Sequence, residues 1–251
     1  NIKLADKNNV SYIVNLAGKA HDTKKNDFKI YKEKHNIINI EKNIRNNFDC
    51  NKIPFIQVSS AKADDTSRKN IDNMKMSYSL LKLRSEAYVK KYFKKYIILR
   101  PPLLYGPNVK ANFLALMTLI SYGIPLPLKK VKNLRNYVYV ENFVDLISHI
   151  ISNKKFLNKS YFVNDSDAIS TFELYNLINK YLEKKPNAFY INSNFLKFIF
   201  RLLNKSNIYD KIYGDFIVND FNLVKDLNWK PKYNFEKGIK KTCFWYKSRF
   251  K

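Results

Sequence analysis

Glycine is scarce in this chain: five in 251 residues, at Gly18, Gly106, Gly123, Gly214 and Gly238. No three lie close together, so the sequence holds no G-x-x-G-x-x-G turn of the kind that lets a backbone close on a pyrophosphate. Cysteine is scarcer still. Cys50 and Cys243 stand alone, outside any C-x-x-C or Cys/His spacing, which argues against a disulfide framework and a zinc site. The three histidines, His21, His35 and His149, form no H-E-x-x-H or comparable metal pattern. No apolar run is long enough to span a bilayer and nothing has the shape of a signal peptide. A cytoplasmic, reducing setting with no metal and no membrane partner is therefore expected.

Acidic residues are also few, 21 against 46 Lys and Arg, for a formal charge of +25. Such a balance raises nucleic acid as a partner. The basic residues, however, are spread along the whole chain among Asn, Ile, Tyr and Phe, the mixture an AT-rich coding sequence produces. No Arg-rich helix or dense basic tail concentrates them. The charge reads as compositional drift that favours anionic substrates, and no nucleic-acid partner is expected. What the chain does have is apolar material: 45% hydrophobic residues, enough for a buried core.

The order of elements gives the fold class. Tyr12-Ile13-Val14-Asn15-Leu16 reads as a strand ended by Ala17-Gly18, and residues 27–47, polar with Ile at intervals, as a solvent-facing helix. Residues 53–58 form a second buried strand, 74–93 a helix and 96–99 a third strand. Strand, helix, strand, helix, strand is the rhythm of a parallel sheet with helices on its faces. After Arg100-Pro101-Pro102 the rhythm loosens. Helices are expected at 112–122, 141–151, 171–182, 194–203 and 235–247, with a short strand at 137–140 and a proline-punctuated loop at 123–128. Ser170 or Thr171 with Glu173 marks a helix start.

The sharpest chemical signal is Tyr78-Ser79-Leu80-Leu81-Lys82, a Y-x-x-x-K inside an expected helix. Spacing of four residues puts both side chains on one helical face. An ammonium near a phenol favours phenolate and lowers the tyrosine pKa from about 10, so tyrosine becomes usable as an acid or base near neutral pH. In isolation the pattern fits an exposed helical face just as well, because the chain has 18 tyrosines and is rich in lysine. Upstream, Ser59-Ser60-Ala61 ends a strand at the sheet edge where ligands bind in open α/β folds. A hydroxyl there can hold the substrate oxygen that the tyrosine protonates. Strand–Ser, helix–Tyr/Lys and strand–Arg-Pro-Pro together are a joint pattern that chance accounts for poorly.

Three segments carry a family resemblance: Phe55-Ile56-Gln57-Val58-Ser59-Ser60-Ala61-Lys62, the Tyr78/Lys82 helix continuing to Glu86, and Ile98-Leu99-Arg100-Pro101-Pro102-Leu103-Leu104-Tyr105-Gly106-Pro107. They resemble the extended short-chain dehydrogenases, the NAD-dependent epimerase/dehydratase family that acts on nucleotide sugars. Asn15-Leu16-Ala17-Gly18 is similar to the family's H-L-A-A strand, and Asn133 to Asn142 to its R-x-Y-x-x-V-x-D element. Asn36 stands where the family keeps an asparagine in N-x-x-G-T, with Asn39 in place of that glycine. Residues 182–207 match weakly.

The resemblance implies an α/β fold, a Rossmann-like doubly wound parallel sheet with a smaller mixed α/β C-terminal lobe. Residues 1–107 would be part of the cofactor domain, and 108–251 mainly the substrate lobe with segments returning to the first. The chain opens on Asn1, so the first strands and the glycine-rich loop are expected to lie outside it, and tight NAD(P) binding by this stretch alone is not expected. Tyr78 would be the catalytic acid/base, Lys82 would tune it and hold the nicotinamide ribose, and Ser60 would bind the reacting oxygen. Ala17, Gly18, Asn36, Pro101 and Pro102 would line the cofactor, NAD or NADP. Asn112 and Phe113 would contact the sugar diphosphate, Leu126 and Leu128 the base, and Arg135 the diphosphate with Tyr137 behind it. Outside the family context Arg135 reads as an exposed cation.

By the same resemblance the substrate is a UDP-sugar and the reaction falls at sugar C4. Ala61-Lys62 replace the Asp-Glu that follows this serine in the family's dehydratases, which disfavours dehydration. The preferred expectation is a UDP-4-keto-6-deoxy-N-acetylhexosamine 4-reductase of surface polysaccharide synthesis. The alternatives are a UDP-glucose or UDP-N-acetylglucosamine 4-epimerase and, from another class, a degenerate non-catalytic member serving as a binding subunit. Homodimerisation is usual in the family; here only Leu80, Leu83 and Tyr88 on the tyrosine helix speak for it, and they fit a core-facing stripe equally well.

Overall fold

The computed structural model describes residues 10–17, 37–63, 78–218 and 221–250. The chain divides into two compact units: Asn1–Pro102 with Leu146–Val163 and Asp220–Trp229, and Leu103–Asp145 with Asn164–Asn219 and Lys230–Lys251.

The first unit is built on a four-stranded sheet in the order β1 (Ile13–Asn15), β2 (Phe55–Val58), β3 (Tyr96–Arg100) and β6 (Lys159–Phe162), every neighbouring pair parallel. Ile56, Ile97, Ile98 and Leu99 are fully buried, as near-continuous apolar runs are when a parallel sheet is covered on both faces. β2 starts at Phe55 and not at 53, because Ile53 N–H bonds the Asp49 carbonyl in a turn and Pro54 has no N–H for a ladder. Helices α1 (Ile37–Asn47) and α2 (Tyr78–Tyr92) pack together. Ile44 of α1 and Val89 of α2 join Phe55, Phe93 and Ile98 in one buried cluster.

The expectation of a solvent-facing helix over 27–47 needs correction within its described part. Glu41 and Ile44 of α1 are buried, because α1 is covered by α2. The spaced isoleucines signalled one buried stripe, and a glutamate shares it.

Between β3 and β6 the chain passes through the second unit. A short parallel pair, β4 (Leu103–Tyr105) and β5 (Tyr137–Tyr139), stands beside α3 (Ala111–Ser121), α5 (Thr171–Leu182) and α9 (Phe235–Phe250). Helix α4 (Val140–Ser152) leaves β5, and α6 (Ser193–Leu202), α7 (Ser206–Tyr213) and the seven-residue α8 (Phe221–Leu227, in the first unit) complete the described elements. Tyr105 is the hub of the second core, 5.5 Å from the ring of Phe113 and 5.2 Å from that of Phe235. Helix α5 starts with the expected reciprocal cap: Glu173 N–H donates to Ser170 Oγ, and Ser170 N–H to the Glu173 carboxylate.

Both cysteines are buried free thiols. Among the described residues, no group of His, Cys, Asp and Glu is placed to hold a metal ion, and no helix is long and apolar enough to cross a membrane.

Candidate active site

Because β1, β2 and β3 run parallel, their C-terminal ends lie along one edge of the sheet, and the residues following them meet there. Asn15 Nδ2 donates to Gln57 Oε1 (2.9 Å), and Ala17 N–H to Asn15 Oδ1 (3.0 Å), which fixes the chain leaving β1. Beyond β2 the ladder continues, Ser59 N–H to Leu99 O (2.7 Å) and Ala61 N–H to Pro101 O (2.8 Å), so Ser60 is held by its neighbours on both sides. The half-buried Ser60 Oγ accepts the Lys62 N–H at 3.3 Å.

Lys82 reaches this edge from α2. Its side chain is buried, and Nζ donates to Ala17 O (2.9 Å) and Val58 O (2.8 Å), the carbonyls just past β1 and at the end of β2. Burial pushes its pKa down to about 8, with the negative charges of Glu41 and Glu86 working in the opposite direction. Tyr78, one helical turn earlier, opens α2; its side chain lies outside the described residues, as do Gly18 and Asn36 altogether.

Beneath this edge lies a polar layer. Glu86, one turn after Lys82, takes Arg100 in a forked pair, Nε to Oε1 at 2.9 Å and Nη2 to Oε2 at 2.6 Å, and also accepts Ser59 Oγ at 2.5 Å. All three residues are buried, so α2, the end of β2 and the end of β3 are tied by one charged knot. One residue before Glu86 on α2, Ser85 Oγ donates to the buried Glu41 of α1. Burial raises the Glu41 pKa to about 7, partly offset by the Ser85 bond and the Lys82 charge. A signal was available for the first knot: Glu86 continues the Y-x-x-x-K spacing by one turn, and Arg100 ends an apolar strand.

A family model for the NAD-dependent epimerase/dehydratase family matches residues 1–163. The chain belongs to the NAD-dependent epimerase/dehydratase family. It is 31% identical over 253 aligned residues to a Vibrio cholerae protein named UDP-glucose 4-epimerase, covering 94% of this chain and 76% of that one. Among solved structures, epimerase Mth375 of Methanothermobacter thermautotrophicus superposes with a TM-score of 0.72 at 13% identity, covering 97% of this chain and 74% of that chain. UDP-N-acetylglucosamine 4-epimerase of Bacillus cereus does so with 0.67 at 18%, over 94% of this chain and 79% of its own. At those identities the two structures speak for the shared Rossmann-like fold.

Membership of this epimerase/dehydratase family gives the cofactor class, NAD or NADP. The residues present fit the nicotinamide end of such a cofactor. A buried ammonium stands on strand-end carbonyls, that of Ala17 among them, at the sheet edge where dinucleotides lie in open α/β folds, and Pro101 O accepts the Ala61 N–H at the end of the neighbouring strand. Pro101 is buried and Pro102 half-buried.

The remaining expected site residues belong to the second unit. Asn112 is exposed on α3, while Phe113 beside it is buried against Tyr105 and can offer a ligand little beyond its main chain. Leu126 is half-buried and Leu128 buried, in a loop bonded to Asn187 and Phe189. Arg135 is not the exposed cation that the sequence alone allows: Nη1 donates to Gly214 O at 2.6 Å, just past the C-terminus of α7, and the guanidinium carbon lies 5.7 Å from the Phe216 ring centroid. Tyr137 is buried on β5, and burial raises its pKa. Leu80 and Leu83, offered as support for a dimer, are buried within the chain and Tyr88 is half-buried.

Proposed function

We propose that this protein exchanges hydride at C4 of a UDP-sugar and acts as a UDP-sugar 4-epimerase. The observation that carries the reading is the buried Lys82 ammonium, held on the Ala17 and Val58 carbonyls one helical turn after Tyr78, with Ser60 on the same sheet edge. The relative named UDP-glucose 4-epimerase supports the choice of substrate and reaction.

NAD(P), when bound, supplies the hydride acceptor and donor. The chain supplies the proton chemistry. Tyr78, as phenolate, takes the proton of the C4 hydroxyl and later returns it. Lys82 lowers the cost of that phenolate by its charge. Ser60 donates a hydrogen bond to the same sugar oxygen and keeps it in line with Tyr78. Asn112, the main chain of Phe113 and the N–H groups of Arg135 other than those of Nη1, which Gly214 O takes, hold the diphosphate, with Tyr137 supporting the arginine, and Leu126 and Leu128 flank the base. Guanidinium suits a diphosphate because its planar fork makes paired, charge-assisted bonds.

A second reading keeps the same residues. The segments Pro101 to Phe113 and Ile124 to Leu128 resemble a bacterial branch that includes 4-reductases of UDP-4-keto-6-deoxy-N-acetylhexosamines. The two differ in redox balance: in an epimerase the keto sugar turns over and takes back the hydride it gave to the bound cofactor, whereas a reductase receives the keto sugar ready-made and consumes one NAD(P)H per turnover. The test is a two-part assay of the purified protein. UDP-galactose and UDP-N-acetylgalactosamine with NAD are analysed for C4-inverted products, and a UDP-4-keto-6-deoxy sugar with NADPH is followed at the nicotinamide absorbance. Inverted product alone supports the epimerase, and NADPH consumption alone the reductase. Silence in both from full-length folded protein that holds NAD(P) rejects the C4 reading and favours a non-catalytic role.

A further inference from the structure

The helix that resembles the family least has two wet faces of opposite character. In α6, Phe195, Phe198 and Leu202 follow one another at three and four residues and fall within about 60° on the helix. Each is more than half exposed, at 59, 56 and 66%. The opposite side of the helix is the one that packs, with Leu196 buried and the Phe200 ring 5.9 Å from Tyr209 of α7. Lys197 and Arg201 are both exposed and stand next to the apolar row, with Lys205 just past the helix end. Leu203, which follows the last turn, adds a further exposed side chain.

Three large apolar side chains in one exposed row are not the scattered singles that any surface shows. The local charge narrows what covers them. Residues 184–209 carry five Lys and Arg, about as dense as in the rest of the chain, but no Asp or Glu to offset them. An acidic protein surface or a nucleic acid would meet the cations but would leave Phe198 and Leu202 in water. An apolar protein groove would meet the phenylalanines but would have to desolvate Lys197 and Arg201. A bilayer with anionic headgroups satisfies both rows at once, acyl chains under the apolar row and headgroup phosphates beside the cations. This is the chemistry of an amphipathic helix lying in a membrane interface.

We propose that α6 docks the protein onto anionic phospholipid membrane, with Phe195, Phe198 and Leu202 inserted at the acyl–headgroup boundary and Lys197, Arg201 and Lys205 on the headgroups. The expectation of no membrane partner rested on the lack of a spanning run; lying on a surface needs only a short two-sided helix. The inference is independent of the reaction proposed above, and its test reads no activity.

The test is co-sedimentation of the purified protein with vesicles of phosphatidylcholine containing phosphatidylglycerol, against phosphatidylcholine alone. Binding to the anionic vesicles, falling at least roughly tenfold on neutral vesicles and falling again with added salt, is the expected result. Phe198→Ser/Leu202→Ser and, separately, Lys197→Glu/Arg201→Glu should each lower binding by about tenfold or more. Circular dichroism melts unchanged from the parent would show that both variants are folded. Parental binding by both folded variants would overturn the proposal. So would the absence of binding by the parent, or sedimentation velocity showing that Phe198→Ser/Leu202→Ser dissociates a dimer while vesicle binding is unchanged.

Discussion

Replacing Arg100 by leucine should be among the most damaging single changes in the first unit. The guanidinium gives Glu86 two short bonds, at 2.9 and 2.6 Å, and the side chains are only 10% and 2% exposed. Removing the cation leaves a buried carboxylate with the Ser59 hydroxyl but without its counter-charge. Breaking a buried pair from one side costs about 3–5 kcal/mol. In a chain of this size, at roughly 2–4 °C per kcal/mol, the unfolding midpoint should fall by about 6–20 °C. Removing both partners is different: Glu86→Leu/Arg100→Leu places apolar groups where the ions were and should recover most of the loss. The assay is thermal and urea unfolding followed by circular dichroism on the parent, both single variants and the double. Arg100→Leu within about 1 kcal/mol of the parent, or a double variant no better than the sum of the singles, would refute the reasoning. Turnover should stay low even in the recovered double variant, since the Ser59–Glu86 bond that ties the Ser60 segment to the Lys82 helix is gone.

Lys82→Met should lower turnover at neutral pH by about 100-fold or more and cost some stability, because the Ala17 and Val58 carbonyls lose their donor; parental turnover would remove Lys82 from the mechanism. The pH dependence of stability should show two windows of opposite sign. Glu41 is raised from 4.5 to about 7, so the folded state holds a proton that the unfolded state has lost. Its contribution is full below 4.5 and is lost as pH rises through about 7. Lys82 is lowered from 10.5 to about 8, so its contribution is present above 10.5 and is lost as pH falls through about 8. Unfolding midpoints of Glu41→Gln should therefore lack the decline that the parent shows between pH 4.5 and 7; identical profiles would contradict the buried placement of Glu41. Gly238→Ala, normally worth up to about 1 kcal/mol of helix propensity, should instead destabilise by roughly 1–3 kcal/mol. A Cβ there overlaps the Tyr105 hydroxyl and stands 3.0 Å from the Tyr139 ring. A raised midpoint would show that the packing of α9 is looser than described.

Much of the sheet was legible because parallel strands buried on both faces are continuous apolar runs, and 12–16, 53–58 and 96–99 each contain one. β4 and β6 were not. Leu103–Tyr105 is three residues squeezed between Pro102 and Gly106, and Lys159–Phe162 is half polar, its Lys159 held by Asp226 at 2.7 Å. The longer helices of the second unit were read from their 3.6-residue period and the Ser170/Glu173 cap, while α7 and α8, at eight and seven residues, were too short to show one. Within the candidate site, Ser60 is legible as a strand end and Lys82 by its spacing from Tyr78, and the sheet brings the two to one edge. The charged layer beneath was not, because nothing local distinguishes Glu41 from the solvated glutamates of any helix. Its burial is decided by α2, which is remote in sequence.

The account rests on Tyr78 moving the C4 hydroxyl proton of a UDP-sugar. Purified full-length protein and its Tyr78→Phe variant, matched in circular dichroism and in bound NAD, should be incubated with UDP-galactose and the nucleotide sugars separated by chromatography. The parent should drive the mixture of UDP-galactose and UDP-glucose to equilibrium while the variant leaves UDP-galactose untouched. Conversion by Tyr78→Phe at the parental rate would contradict it.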